Sequence, residues 1–240
     1  MPVVHPEPNV TGSAISDAVE GTRSQTLHRG LSLLELVTEA PAPPSLPDLV
    51  RTSGLHRSVA YRLLRTLEDH RLVERTADDR YVAGLGLLVL GRGVAGDLRS
   101  AATAILPGLA DDLAMTAFVV VRDGDEAVTL MSVEPVGSTA HVTYRPGTRH
   151  AVDRGAPGIA LLAAGPEQPG ERPEVTTARS SGWARSHAEV LPGLSAVAAP
   201  VPSHRGPATA VCVVYAGTDD LSRLAVRVIT AAGALAARLH

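Results

Sequence analysis

At 240 residues and 45% hydrophobic content, the chain is long enough for one large domain or two ordinary ones with proper cores, which excludes a disordered polypeptide. Only 2% of residues are aromatic, so the cores are expected to be built from Leu, Val and Ala, and the stacking platforms of a single-strand RNA-binding module are not expected. A net charge of −3 excludes a globally basic nucleic-acid binder and leaves DNA contact to a local patch.

The sequence has no apolar run of membrane-spanning length and no basic start followed by an apolar stretch, so a cytoplasmic protein without membrane contact is expected. Its one cysteine, Cys212, cannot form an internal disulfide, in keeping with a reducing compartment. Residues 1–23, rich in Pro, Gly, Ser and Val without period, read as a tail.

A helical pattern starts at Ser24, with Leu27, Leu31, Leu34 and Val37 expected on the buried stripe, and "APAPPS" at 40–45 ends it. Ser45 is expected to cap a second helix, "LPDLVRTS", which Gly54 closes. A third helix is expected over 56–70. On it Ala60, Leu63, Leu64 and Leu67 share one face, and Ser58, Arg62 and Arg65 lie opposite.

"RLVER" and "RYVAG" around the turn "TADD" read as a two-stranded wing. Residues 51–80 carry seven Arg against five acids, whereas residues 1–50 carry two against six, so this segment holds the basic patch. Every basic residue in the chain is Arg, whose fork suits phosphate and guanine edges, although genome composition explains the bias equally well.

Three short helices and a hairpin form a winged helix-turn-helix. Its third helix enters the major groove and its wing meets the backbone. Ser58, Tyr61, Arg62 and Arg65 are the groove-facing candidates, Arg57 is expected at a phosphate, and His56 at the helix start is a further DNA-binding candidate. An ordinary amphipathic helix with a solvated basic face has the same periodicity.

Residues 85–99 are expected to form a linker helix, with a break and a second helix starting near Ser100. Beyond it, "AFVVVRD" and "AVTLMSV" read as a hairpin and "HVTYR" as another strand. "GIALLAAG" reads as a short helix, and "SAVAAPV" with "ATAVCVVYAG" as a second hairpin. Thr218 or Asp219 is expected to cap the last helix, 220–239. The elements do not alternate as β-α-β units, so the second domain, 100–240, is expected to be α+β.

The string "GLHRSVAYRLLRTLEDHRLVERTADDRYVAGLGLLVLG" resembles the winged-helix half of the IclR family of bacterial regulators. The family pattern falls on Gly54, Leu55, Ser58, Arg62, Leu63, Leu64, Leu67, Arg80, Tyr81 and Gly84. More loosely, "GTRHAVDRGAPGIALLA" and "SGWARSHAEVLPGLSAVAAPV" are similar to the family's effector-binding domain, a GAF-like α+β unit. Gly147, Gly158, Leu162, Ala163, Gly182, Trp183, Glu189, Gly193 and Pro200 agree there. The family's Pro, Thr and Lys are replaced by Ala151, Gly155 and Ile159.

The resemblance implies a DNA-binding regulator, a repressor in the commonest case. It would act as a homodimer or tetramer on a double-stranded operator, with Ser45 and Arg80 joining the DNA-contacting residues. Carried over position by position, a small organic effector would be lined by Val142, His150, Ala156, Pro157, Ser186, Ala196, Cys212 and Val214. These are mostly apolar, so a larger apolar or aromatic effector is expected rather than a small anion. A degenerate, empty pocket and a second domain that only dimerises are the competing readings.

"GRGVAG" at 91–96 has the letters of a dinucleotide-binding turn, which would make the chain a nicotinamide-dependent oxidoreductase, but that needs a preceding strand and a following crossover. No cofactor is expected. The nine His lack metal-ligand spacing, so no metal is expected either, and His150 is expected to pair with Asp153 in a loop. Cys212 is expected to be buried and inert. Ser195 lacks a nucleophile elbow, and no His or Asp can be placed beside it, so no catalysis is expected.

Overall fold

The computed structural model describes residues 24–137, 144–202, 206–217 and 219–239. The expected tail, 1–23, lies outside them, as do residues 141–143 of "HVTYR"; Tyr144 and Arg145 are not in a strand. The chain divides into two compact units that join in sequence at Val94 and Ala95, inside the stretch expected to be a linker.

In the first unit, α1 (Gln25–Glu39), α2 (Leu46–Ser53) and α3 (Arg57–Asp69) are followed by the antiparallel strands β1 (Val73–Arg75) and β2 (Tyr81–Ala83). Ser45 Oγ accepts from the Asp48 amide while Asp48 Oδ2 accepts from the Ser45 amide, a reciprocal capping box that starts α2. Gly54 ends it with φ +70, a left-handed conformation that suits a residue without Cβ.

The core holds Leu33, Val37, Leu49, Ala60, Leu64, Leu67, Val73 and Tyr81. The stripe expected on α1 is corrected by the structure. Its buried residues are Gly30, Leu33 and Val37, and Leu27 and Leu31 are 61% and 46% exposed. "LHRGLSLLELV" carries leucines around most of the helix, and counting Gly30 as non-apolar rotates the face. Gly30 in fact lies against α3, where an added Cβ would stand 3.7 Å from Leu63 Cδ2.

The capping box has a pH signature. Asp48 is held down to about 2, chiefly by the Ser45 hydroxyl, then by the Ser45 amide and Arg51. A carboxylate that ionises more readily folded than unfolded contributes fully above about pH 4, and its contribution is lost as pH falls through about 2. Melting curves across that window are expected to show falling stability of this unit, with a shallower slope in Asp48→Asn. Ser45→Ala is expected to cost about 1 kcal/mol at neutral pH by chemical denaturation.

After the wing, α4 (Gly86–Gly91) buries none of its residues. The second unit opens with α5 (Gly96–Leu113), which starts before the expected Ser100 and runs through Pro107 without breaking.

A six-stranded, fully antiparallel sheet follows in the order β5-β4-β3-β8-β7-β6. Its strands are β3 (Thr116–Asp123), β4 (Glu126–Val133), β5 (Arg149–Ala151), β6 (Ala184–His187), β7 (Leu194–Pro200) and β8 (Thr209–Ala216). The two hairpins and the short helix α6 (Gly155–Ala163) match expectation, whereas β5, α7 (Pro173–Ser181) and β6 do not appear in the sequence reading. Asp220, rather than Thr218 or Asp219, caps α8 (Leu221–Ala237) by accepting from Ser222 and Arg223.

Strand alternation sends Ala117, Val119, Val197, Val211 and Val213 to α5 and α8. The intervening Phe118, Val120, Ala198, Ala210, Cys212 and Val214 pack with α6 and α7. Ile159 is fully buried in this second core.

Candidate functional site

The outer face of α3 is polar and exposed: Arg57, Ser58, Tyr61, Arg62 and Arg65 all reach solvent, with the apolar face holding the helix in the core. His56 caps the helix, its Nδ1 lying 2.9 Å from Ser58 Oγ and facing the Ser58 amide. Arg65 reaches Glu68 at 3.4 Å. Among the described contacts Arg57 and Arg62 form no ion pair, so both guanidinium groups face solvent uncommitted.

Two other expected DNA-contacting residues are already engaged. The Ser45 hydroxyl donates to Asp48 at 2.6 Å, and Arg80 Nη1 donates to the Pro43 carbonyl at 2.9 Å beside a Ser45–Arg80 bridge. Both tie the wing to the start of α2. Gly84 ends the wing where the backbone doubles over Arg71: a Cβ there would sit 2.2 Å from the Arg71 carbonyl oxygen, which accounts for a glycine at this place in the motif.

In the second unit a small, partly open gap of about 20 Å³, room for about one water, lies on the α6 face of the sheet. Its walls include Phe118, Tyr144, Pro157, Ala196 and Val214, with Val190, Leu191 and Leu194 beside them. Phe118 and Tyr144 stack with centroids 4.4 Å apart and planes 22° from parallel. Burial pushes the Tyr144 hydroxyl well above the usual phenol range.

Ser186, Glu189 and Ser195 are the polar side chains among the lining residues. Gly155 N donates to Glu189 Oε2 at 2.9 Å and Ala156 N donates to Ser186 Oγ at 2.8 Å. Arg172 donates to both Glu189 oxygens, at 2.9 and 3.3 Å, and Arg154 donates to the Glu189 carbonyl. The Arg172 guanidinium, aided by the Gly155 amide, holds the Glu189 carboxyl below its ordinary range despite partial burial.

Of the eight expected lining residues, Pro157, Ser186, Ala196 and Val214 border the gap, and Ala156 is bonded to its wall. Cys212 lies on the same face opposite Phe118, fully buried, with burial pushing its thiol up. Val142 is outside the described residues. His150 stands in β5, not a loop, and its Nδ1 lies 3.0 Å from the Ala151 carbonyl, so the expected Asp153 pairing is not formed. Burial pushes its imidazole pKa down, and its Nε2, like Thr129 Oγ1, is buried without a hydrogen-bond partner.

Sequence reasoning missed Phe118, Tyr144, Glu189 and the segment 190–194. The usable signal was the chain's single Phe in a strand, together with the matched Glu189.

Two motifs set aside from sequence find a definite place. "LGLLVL" before Gly91 contributes to helix α4 rather than a strand, and a second helix follows, so the dinucleotide-turn geometry is not formed. Strand register does bring His187 opposite Ser195, with Nδ1 2.9 Å from Oγ. Ser195 is among the residues bordering the gap, and it also pairs in register with Tyr215, which belongs to the core facing α5 and α8. No group of His, Cys, Asp and Glu among the described residues is arranged to hold a metal, and no described helix is long and apolar enough to cross a membrane.

The chain thus joins a winged helix-turn-helix to an α+β domain built on a six-stranded antiparallel sheet. Residues 26–77 match the family described as the IclR helix-turn-helix domain. The HTH-type transcriptional regulator XynR of Escherichia coli (strain K12) is 30% identical over 143 residues, 58% of this chain and 56% of that protein. The chain thus aligns with about half the length of this relative, and of KipR from Bacillus subtilis, where the share is 45%.

In fold, an IclR transcriptional regulator from Alicyclobacillus acidocaldarius superposes with a TM-score of 0.76 at 24% identity, covering 91% of this chain and 100% of that one. An IclR homolog from Microbacterium hydrocarbonoxydans, complexed with 4-hydroxybenzoate, gives 0.78 at 19% identity over 89% of this chain and 98% of the other. Residues 26–77 thus carry an IclR-type helix-turn-helix domain, and the chain shares the fold of IclR-type structures.

Proposed function

We propose that this chain is a cytoplasmic transcription regulator that binds a palindromic operator as a homodimer or dimer of dimers, represses in the absence of its effector, and is not an enzyme. The carrying observation is the outer face of α3, where Arg57 and Arg62 stand exposed without acidic partners on a helix whose other side is locked in the core. Arg57, at the helix start, suits a phosphate. Ser58, Tyr61, Arg62 and Arg65 suit base edges, and Ser45, His56 and Arg80 orient the helices and wing that flank them. Binding of the chain to its own upstream DNA, measured by anisotropy across a salt series, tests this reading.

Two-fold related half-sites require paired reading heads, and the first unit carries apolar surface fit for pairing. Leu85, Leu88, Val89, Leu90 and Val94 are 60–73% exposed, and Leu27 and Leu31 lie exposed on α1. An apolar helix this open is a surface for a second copy. Leu88→Glu is expected to shift sedimentation toward monomer and weaken operator binding, with an unchanged melt because the side chain is 72% exposed; an unaltered dimer would remove α4 from the interface.

The gap beside α6 is the proposed effector site, with Pro157, Ser186, Ala196 and Val214 on its border, Ala156 bonded to its wall, and Cys212 and His150 as further candidates; the expected Val142 lies outside the described residues. The 4-hydroxybenzoate held by the Microbacterium homolog supports an aromatic small molecule as the class of ligand. Binding would widen this narrow gap. The resulting shift in population would alter operator affinity.

A further inference from the structure

We propose that the gap beside α6 takes an uncharged ligand, a flat aromatic molecule carrying an N–H or O–H donor, and discriminates against the carboxylate of the same shape. The inference rests on reading this gap as the effector site.

A helix start ordinarily offers free amides to an anion. Here the first three positions of α6 offer none. Gly155 N is taken by Glu189 Oε2 at 2.9 Å, Ala156 N by Ser186 Oγ at 2.8 Å, and Pro157, which borders the gap, has no N–H. The positive end of the helix is therefore occupied from inside the chain by a carboxylate.

The nearby arginines do not replace the missing donors. Arg172 is committed to Glu189 at 2.9 and 3.3 Å, to the Asp153 carbonyl at 2.8 Å and to Glu174 at 3.3 Å, and Arg154 is committed to the Glu189 carbonyl. A ligand carboxylate entering the gap would meet the ionised Glu189 and apolar walls, a desolvation cost with nothing to offset it. A donor finds the opposite. Among the described contacts Glu189 Oε1 accepts one long bond, from Arg172 at 3.3 Å, and retains lone pairs for an N–H or O–H. The stacked Phe118 and Tyr144 rings supply a flat apolar wall for the rest of the molecule.

Titration calorimetry on the full chain, with benzamide against benzoate and 4-hydroxybenzamide against 4-hydroxybenzoate, compares matched shapes that differ in charge. Each amide is expected to bind at least about tenfold more tightly than its carboxylate at neutral pH. Pro157→Ala restores one amide donor to the helix start, and the carboxylates are expected to gain about tenfold there while the amides change little. Ala196→Leu, which fills the gap, is expected to abolish amide binding in a chain whose melt is retained.

Carboxylates that bind the unaltered chain as well as the amides would overturn the charge preference and leave the effector site standing. Amide binding that survives Ala196→Leu, or no binding of either class at millimolar concentration, would remove the inference and the effector reading of this gap together.

Discussion

Replacing Arg57 and Arg62 together by alanine is expected to weaken operator binding on the order of 100-fold or more, while leaving the melting temperature unchanged. Arg62 lies in the exposed middle of α3, where a bidentate contact to a base pair is worth about 1–3 kcal/mol, and a dimer makes the contact twice. Arg57, at the start of the same helix, would neutralise a phosphate in each half-site. Its loss should make the slope of log affinity against log salt shallower by about 2, from about 0.9 per phosphate contact. Both side chains are exposed without ion-pair partners among the described contacts, so the fold has little to lose. Anisotropy titrations at several salt concentrations read both quantities. An unchanged affinity and slope would defeat the assignment of α3 as the reading helix.

Gly158→Ala is expected to be the most damaging single methyl group in the second unit. A Cβ at this position would stand 2.2 Å from the Val152 carbonyl oxygen and 2.8 Å from its carbon, and both atoms are backbone. Relief requires α6 to lift away from the β5–α6 corner, and with it Ala156, Ile159, Ala160 and Ala163 from the core they share with β8. Overpacking of this kind costs about 3 kcal/mol. Denaturant unfolding should show the loss, and ligand binding in the adjacent gap should weaken with it. Gly165→Ala is the control, since a Cβ there meets only ordinary contact at 3.5 Å from the Leu162 carbonyl oxygen.

The head was the more legible half because its signals are local. Helix starts and stops were written by Ser24, Ser45 and Gly54, and the wing by the turn "TADD" between two short strands. On α3 the apolar and basic residues separate cleanly, so the face that packs was plain. On α1 they do not. Leu27 and Leu31 are indistinguishable from Leu33 by residue type, and burial was decided by where α3 and β2 came to rest.

In the second unit the two long hairpins announced themselves, since each pairs segments close in sequence. Strands β5 and β6 have three and four residues, too short for alternation to show, and exist only because β4 and β7 offer edges for them.

The winged helix-turn-helix and its arginine-bearing third helix, together with the hairpin plan of the second domain, follow from the sequence by itself, because capping, turn chemistry and periodicity act over a few residues. Tertiary structure alone decided which leucines of α1 are left for another surface, and that Phe118 and Tyr144 stack. It also decided that Glu189, thirty-four residues from Gly155, fills the amide at the start of α6. Those outcomes depend on sheet order and on the close approach of distant backbone, and no spacing within one element records them.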